Sequence, residues 1–297
     1  MKVKIVSAMC EILWSWMGVL YLCALMFLPA ATSQAAEHRA SISDTLLDAR
    51  DNLLDALPDD GSYFLNSVLS DAGDILKLPF EKHDIGMREV LTATLLVGTV
   101  PATIYGLDNP IRRNVRKMND STANVLEYVG LGATVGGLGL IYGWGVFSRN
   151  EEARHVALTG VEGVGAASLV GLGLKAAFGR KRPLDGEGSR AFFKGGESFP
   201  SERSTIAFAA AAALSEGFNN KWWVAAPAYS LALATGIGRM GKDAHWASDV
   251  LTAALVGAGT TKLLFYLHRD RNVLSPLFVT PMVSDRGVKG VSLGFNW

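Results

Sequence analysis

Six apolar segments, at about 88–106, 123–147, 152–178, 203–217, 222–238 and 245–267, succeed one another along this chain with polar loops between them. Within each, apolar residues return at helical spacing, and most are about long enough to cross a bilayer. The expected fold is all-α, a helical bundle of about six core helices. The segments are rich in alanine and glycine, and 49% of all residues are hydrophobic, so a sizeable core can be buried and disorder is excluded. Only the tail from Val279 to Trp297 alternates apolar and polar residues, around Asp285-Arg286-Gly287, and a short C-terminal hairpin is expected there.

Lys2 and Lys4 precede an uncharged apolar run from about Ile12 to Pro29, with the small residues Ser33 and Ala35 after it. This is the layout of a secretory signal peptide, with an uncleaved membrane anchor as the alternative; either delivers the rest of the chain outside the cytoplasm. The chain therefore divides into a signal peptide at 1–35, an amphipathic helical segment at 36–87, the main domain at 88–270 and a tail at 271–297. In the second of these, Leu46, Leu47, Leu53, Leu54 and Leu57 recur at helical spacing, Ser43 or Asp44 is placed to cap, and Pro58-Asp59-Asp60-Gly61 ends the run. The stretch around Leu78-Pro79-Phe80 is expected to wrap onto the core. Both cysteines, Cys10 and Cys23, fall in the leader, so a processed chain has neither disulfides nor cysteine-held metals. Basic and acidic residues balance at 28 each, which leaves no overall field for nucleic acid.

Glu162, Asp249 and Lys262 interrupt three of the apolar segments. If all six crossed a membrane from an exported N-terminus, the third would end in the cytoplasm, together with the basic loop Arg112, Arg113, Arg116 and Lys117. A soluble or peripheral bundle with its polar loops in the periplasm avoids that outcome and is the expectation taken forward.

Three polar elements sit at helix edges. Lys175 and Arg182 are two helical turns apart, so a continuous helix puts both cations on one face as an anion clamp; a basic helix end stabilised by its own dipole has the same sequence. Ser198-Phe199-Pro200-Ser201 opens the alanine-rich run from Ile206, where the Ser201 hydroxyl and the first free backbone N–H groups can receive phosphate oxygens, or merely cap the helix. Arg239 precedes His245 and Asp249, which as i and i+4 neighbours allow the carboxylate to hold one imidazole nitrogen and leave the other to attack phosphorus; a surface capping pair is the alternative.

In this order, Lys175-(six residues)-Arg182-Pro183, Ser198-Phe199-Pro200-Ser201 and Arg239-(five residues)-His245-(three residues)-Asp249 resemble the three signature motifs of the type 2 phosphatidic acid phosphatase and vanadium haloperoxidase superfamily. The resemblance covers about 88–267 and implies a helical bundle and a metal-free, cofactor-free phosphatase. It implies that His245 is the nucleophile that forms a phosphohistidine and that Asp249 orients it. Lys175, Arg182, Ser201 and Arg239 would bind the phosphate of a phosphorylated lipid or small phosphate substrate.

Two positions depart from that pattern. Gly238 stands where the family usually has serine, which removes a hydrogen bond. Arg203 stands where the second motif has its histidine, the general acid that protonates the departing oxygen, and a guanidinium stays protonated and donates poorly. The substitution allows three outcomes: a weakened enzyme, a phosphate- or lipid-binding envelope protein, or an enzyme for leaving groups that need no proton. In the last, Arg203 grips the second phosphate of a diphosphate such as an isoprenyl diphosphate. Glu202 is a second candidate donor, weakened by its place at a helix N-terminus. Haloperoxidase use of vanadate also relies on the missing histidine. His38, His83, His155 and His268 show no ligand spacing, His155 with Glu151 and Glu152 reads as a solvated helix start, and Trp222 and Trp223 mark a helix start at an interface or in the core.

Overall fold

The computed structural model describes residues 33–77, 87–270, 277–284 and 287–295. Residues 1–32 of the expected signal peptide or anchor, both cysteines and the Leu78-Pro79-Phe80 stretch lie outside the described residues. By contacts the chain forms two units, Met1–Asn52 and Leu53–Trp297. The described part of the first is wholly helical.

The helices are α1 (Ser33–Lys77), α2 (Met87–Gly106), α3 (Asp108–Val115), α4 (Asp120–Phe147), α5 (Glu151–Phe178), α6 (Glu202–Gly217), α7 (Trp222–Gly241) and α8 (Ala247–Asp270). The six expected segments are α2 and α4 to α8, each within a few residues of its expected ends. Two strands, β1 (Leu277–Ser284) and β2 (Gly287–Phe295), pair antiparallel as the expected terminal hairpin. Asn119 and Asn150 cap α4 and α5 by accepting from the N–H groups of Thr122 and Ala153.

Helix α1 corrects one expectation. It continues through Pro58 and Gly61 instead of ending there. A proline inside a helix removes one backbone hydrogen bond and crowds the preceding turn. Here contacts to the bundle offset that cost. Asp60 accepts from Tyr142 Oη at 2.9 Å and from Arg154 Nε at 3.0 Å, and Tyr63 stacks on His155 with centroids 3.7 Å apart. Further along, Ser67 Oγ donates to Glu162 at 2.6 Å, and His268 Nε2 lies 2.8 Å from Asp71. His155, expected at a solvated helix start, is instead covered by Tyr63, and with His268, which shows no ligand spacing in the sequence, it belongs to a polar seam that joins α1 to α5 and α8.

Helix α6 is central and touches α4, α5, α7 and α8. Its residues Ala209 to Ala213 are entirely buried, since a run of methyl side chains lets four neighbours approach one axis. The outer surface is different. Leu140 is 78% exposed, Leu169 71% and Trp222 78%, with Trp144, Val129 and Tyr266 also outward. The segments Asp120–Phe147, Glu151–Asp185 and Ala247–His268 are long and apolar enough to cross a membrane. Glu162 and Asp249, which interrupt the apolar pattern, point inward and are buried, and Lys262 pairs with Glu216 at 2.9 Å. An apolar exterior over buried charged groups is the surface of a membrane-associated bundle, and of the soluble or peripheral alternatives read from the sequence it disfavours the soluble one.

Candidate active site

The three polar elements meet at one end of the bundle, where α5 and α7 end and α6 and α8 begin. The expectation that Lys175 and Arg182 share a helix face is corrected: α5 stops at Phe178, and Gly179 takes the left-handed conformation with φ 45°. Glycine enters that region without a Cβ penalty, and Pro183 disfavours helix for the residue before it, so Arg182 lies in the loop. Lys175 pairs with Glu202 at 3.2 Å, and Arg182 pairs with Glu197 at 3.2 Å. Both carboxylates are exposed, so an arriving phosphate can displace them.

His245 occupies the turn between α7 and α8 and is 4% exposed. Its Nδ1 lies 2.7 Å from the carbonyl oxygen of Ser198, so that nitrogen carries the proton and donates. Nε2 is then the lone-pair nitrogen, and Arg239 Nη2 stands 3.2 Å from it. Burial, with the nearby charges of Arg239, Arg182 and Lys175, pushes the imidazole well below its ordinary value, to about 3, against the opposing hydrogen bond to Ser198. The ring is therefore neutral, as a nitrogen nucleophile must be.

Asp249 does not hold the ring directly. Its Oδ2 is 3.8 Å from Nδ1, beyond hydrogen-bond reach, because the Ser198 carbonyl takes that place. Instead Oδ2 accepts from Ser198 Oγ at 2.5 Å and from the Trp246 N–H at 2.8 Å. The carboxylate thus fixes the residue that fixes the histidine. Arg180, absent from the sequence-derived set, completes the support: its Nη1 donates to Asp249 Oδ1 at 2.5 Å and its Nη2 to Asp108 Oδ2 at 2.6 Å. Asp108 in turn accepts from the N–H of Ser248 at 2.8 Å and from its Oγ at 2.7 Å. Arg180, Asp108 and Asp249 are wholly buried.

Ser201 is the N-cap residue of α6 and is fully buried. Its N–H donates to the carbonyl of Asp249 at 3.2 Å, and its Oγ lies 2.9 Å from Ser204 Oγ. The N–H groups of the first turn after it have no intrahelical partner and remain the natural acceptor-facing donors.

The variant position is part of a second cluster. Arg203 Nη1 is bonded to Oε1 of Glu127, a residue of α4 whose carboxylate is entirely buried. The same oxygen lies 3.2 Å from Arg239 Nη1, and Lys242 Nζ is 2.6 Å from Oε2. Arg203 and Lys242 also lie over the Tyr128 ring, 5.7 and 5.1 Å from its centroid. Gly238 has a steric reason as well: a Cβ there would meet the Ala123 carbonyl oxygen at 2.5 Å and the Glu127 backbone nitrogen at 2.7 Å. The close approach of α4 that carries Glu127 into the site therefore needs glycine at 238.

A family model described as the PAP2 superfamily matches residues 157–273. A lipid A 1-phosphatase of Porphyromonas gingivalis is 28% identical over 192 residues, which cover 62% of this chain. The chain spans only 40% of that relative's length. Two solved structures are similar in part. LpxE of Aquifex aeolicus is 21% identical, with 55% of this chain and 96% of that one covered and a TM-score of 0.43. A PAP2 type phosphatidylglycerolphosphate phosphatase of Bacillus subtilis is 20% identical, with 62% and 97% covered and a TM-score of 0.45.

Proposed function

We propose, on the match of residues 157–273 to the PAP2 superfamily model, that the protein is a membrane-associated phosphatase of the cell envelope that hydrolyses a lipid phosphate or diphosphate through a phosphohistidine. The observation that carries this reading is the state of His245. Its Nδ1 proton is committed to Ser198, and its Nε2 lone pair faces Arg239 in a site with several cations.

In the proposed reaction Nε2 attacks phosphorus, the bond to the leaving oxygen breaks, and the phosphoryl group rests on His245. Water then attacks the phosphorus, releases inorganic phosphate and frees the ring. Lys175, Arg182, Arg239 and the first turn of α6 after Ser201 bind the equatorial oxygens. Asp249 acts through Ser198. No metal or cofactor enters these steps. Arg203 gives no proton, so a leaving group stable as an anion is favoured, and the phosphate end of an isoprenyl diphosphate meets that condition better than an alkoxide. A lipid substrate also suits the loop after α5 that carries Arg182, where Phe193 is 75% exposed and Leu184 73%. The relative named as a lipid A 1-phosphatase supports the lipid-phosphate class.

The test is phosphate release by the purified protein from an isoprenyl diphosphate and from a monophosphate ester, with H245A and R203H beside it. We expect release that vanishes in H245A, favours the diphosphate, and shifts toward the monoester in R203H. A second reading, a phosphate- or lipid-binding envelope protein on the same fold, is favoured by the arginine at 203. Release from neither substrate by the natural chain, with activity only in R203H, would establish it.

A further inference from the structure

We infer that Glu127 is the positioning residue of this site, whose buried carboxylate turns Arg239 toward the nucleophile. The inference rests on the phosphatase reading above and adds a residue outside the three motifs and outside the matched 157–273 segment.

A wholly buried carboxylate is costly unless it is paired, and Glu127 is paired three times, with Arg203, Arg239 and Lys242. The pairing is directional. Arg239 gives Nη1 to Glu127 and keeps Nη2 3.2 Å from His245 Nε2, so two contacts fix the plane of one guanidinium. Without Glu127 the guanidinium has a single tether and can rotate away from the phosphoryl group during transfer. Three cations on one anion leave an excess of two positive charges, so Glu127 orders the cations without neutralising them. Arg203 is held by the same oxygen, which means that the variant residue of the second motif is tied to the arginine of the third through α4. Gly238 supports the assignment independently, since any Cβ at that position collides with the backbone of Ala123 and Glu127. Both departures from the motifs thus converge on Glu127.

The experiment compares wild type with E127Q, which keeps shape and removes charge, and places both in an R239A background. Two readouts are taken: steady-state phosphate release, and binding of orthovanadate measured by calorimetry, which needs no turnover. For a group that orients Arg239, kcat falls roughly 100-fold with little change in KM, and orthovanadate binding weakens about 10-fold. In the R239A background, E127Q then changes either readout by less than about 2-fold, because the residue through which it acts is already gone. A merely structural role predicts a lowered melting temperature and the same proportional loss in both backgrounds, which would overturn the assignment. If E127Q does not fold, E127D, which keeps the charge and shortens the reach by one methylene, carries the same comparison. A wild type that turns over normally beside an equally active E127Q overturns the Glu127 assignment alone. A wild type that neither releases phosphate nor binds orthovanadate overturns the phosphatase reading and this assignment with it.

Discussion

Arg180 Nη1 lies 2.5 Å from Asp249 Oδ1, with both side chains at zero exposure, so the carboxylate behind His245 is held by a cation with no access to water. The other end of that guanidinium reaches Asp108 and the Ser189 carbonyl, which makes Arg180 the joint between α3, the loop after α5 and the start of α8.

Removing Arg180 leaves the buried carboxylates of Asp108 and Asp249 without the cation they share. R180M is expected to cost about 3–5 kcal/mol of stability, the usual penalty for breaking a buried ion pair from one side. Thermal unfolding of the purified protein in detergent measures it. A melting temperature equal to wild type would mean that the network is dispensable.

The second prediction concerns pH. His245 in the folded protein is depressed to about 3 from an ordinary value of 6.5. As pH falls below 6.5 the unfolded chain takes up a proton at this residue while the folded chain does not. The contribution of His245 to stability is therefore fully present above 6.5, is lost as pH falls, and levels off below about 3. The proposed function has the same sign: in the free protein His245, the proposed nucleophile, stays neutral through the mildly acidic range. A nitrogen-15 titration, with the His245 signal assigned by its loss in H245Q, should leave that ring neutral at pH 5. Finding it protonated there contradicts the buried, cation-flanked environment.

Much of this was legible in the sequence, and the reasons are specific. Apolar helical spacing located α2 and α4 to α8 because α4, α5, α7 and α8 bury a face against α6 and α2 packs on α8. Motif spacing gathered Lys175, Arg182, Ser201, Arg239 and His245 at one end of the bundle. What escaped depends on long-range geometry. Arg180 looks like one more basic residue in a basic stretch, and only Asp108 and Asp249, 72 and 69 positions away, give it meaning. Glu127 sits 76 positions before Arg203, in a helix whose pattern shows a polar interruption and no partner. The i, i+4 spacing of His245 and Asp249 was real, yet α8 begins only at Ala247, so the histidine sits in the preceding turn and its ring reaches Ser198 instead. Pro58 failed as a stop signal because tertiary contacts outweigh the local rule.

Restoring the family's residue at 238 should harm this protein. G238S introduces a Cβ into contact with the backbone of α4, and overpacking of that kind costs about 1–3 kcal/mol. The displaced helix carries Glu127, so activity is expected to fall together with stability. Unfolding and phosphate release measured on G238S test the two parts, and a variant at least as stable as wild type would show that α4 can shift freely.

The last prediction is topological. Helix α2 ends beside α3, whose Asp108 joins the site through Arg180 and Ser248, while α8 begins at the site and runs away from it to Asp270. If α2 and α4 to α8 all cross the membrane, Met87 and Asp270 share the side opposite the site. A periplasmic site then requires both of those ends in the cytoplasm, and an exported Met87 requires a cytoplasmic site; the two cannot hold together. Single cysteines placed in the 179–202 loop and after Asp270, probed with a membrane-impermeant thiol reagent in intact cells, should label from opposite faces. Label at the loop places the site in the periplasm, as proposed. Label after Asp270 and none at the loop would move the site to the cytoplasmic face. Label at both would show that the helices do not all cross.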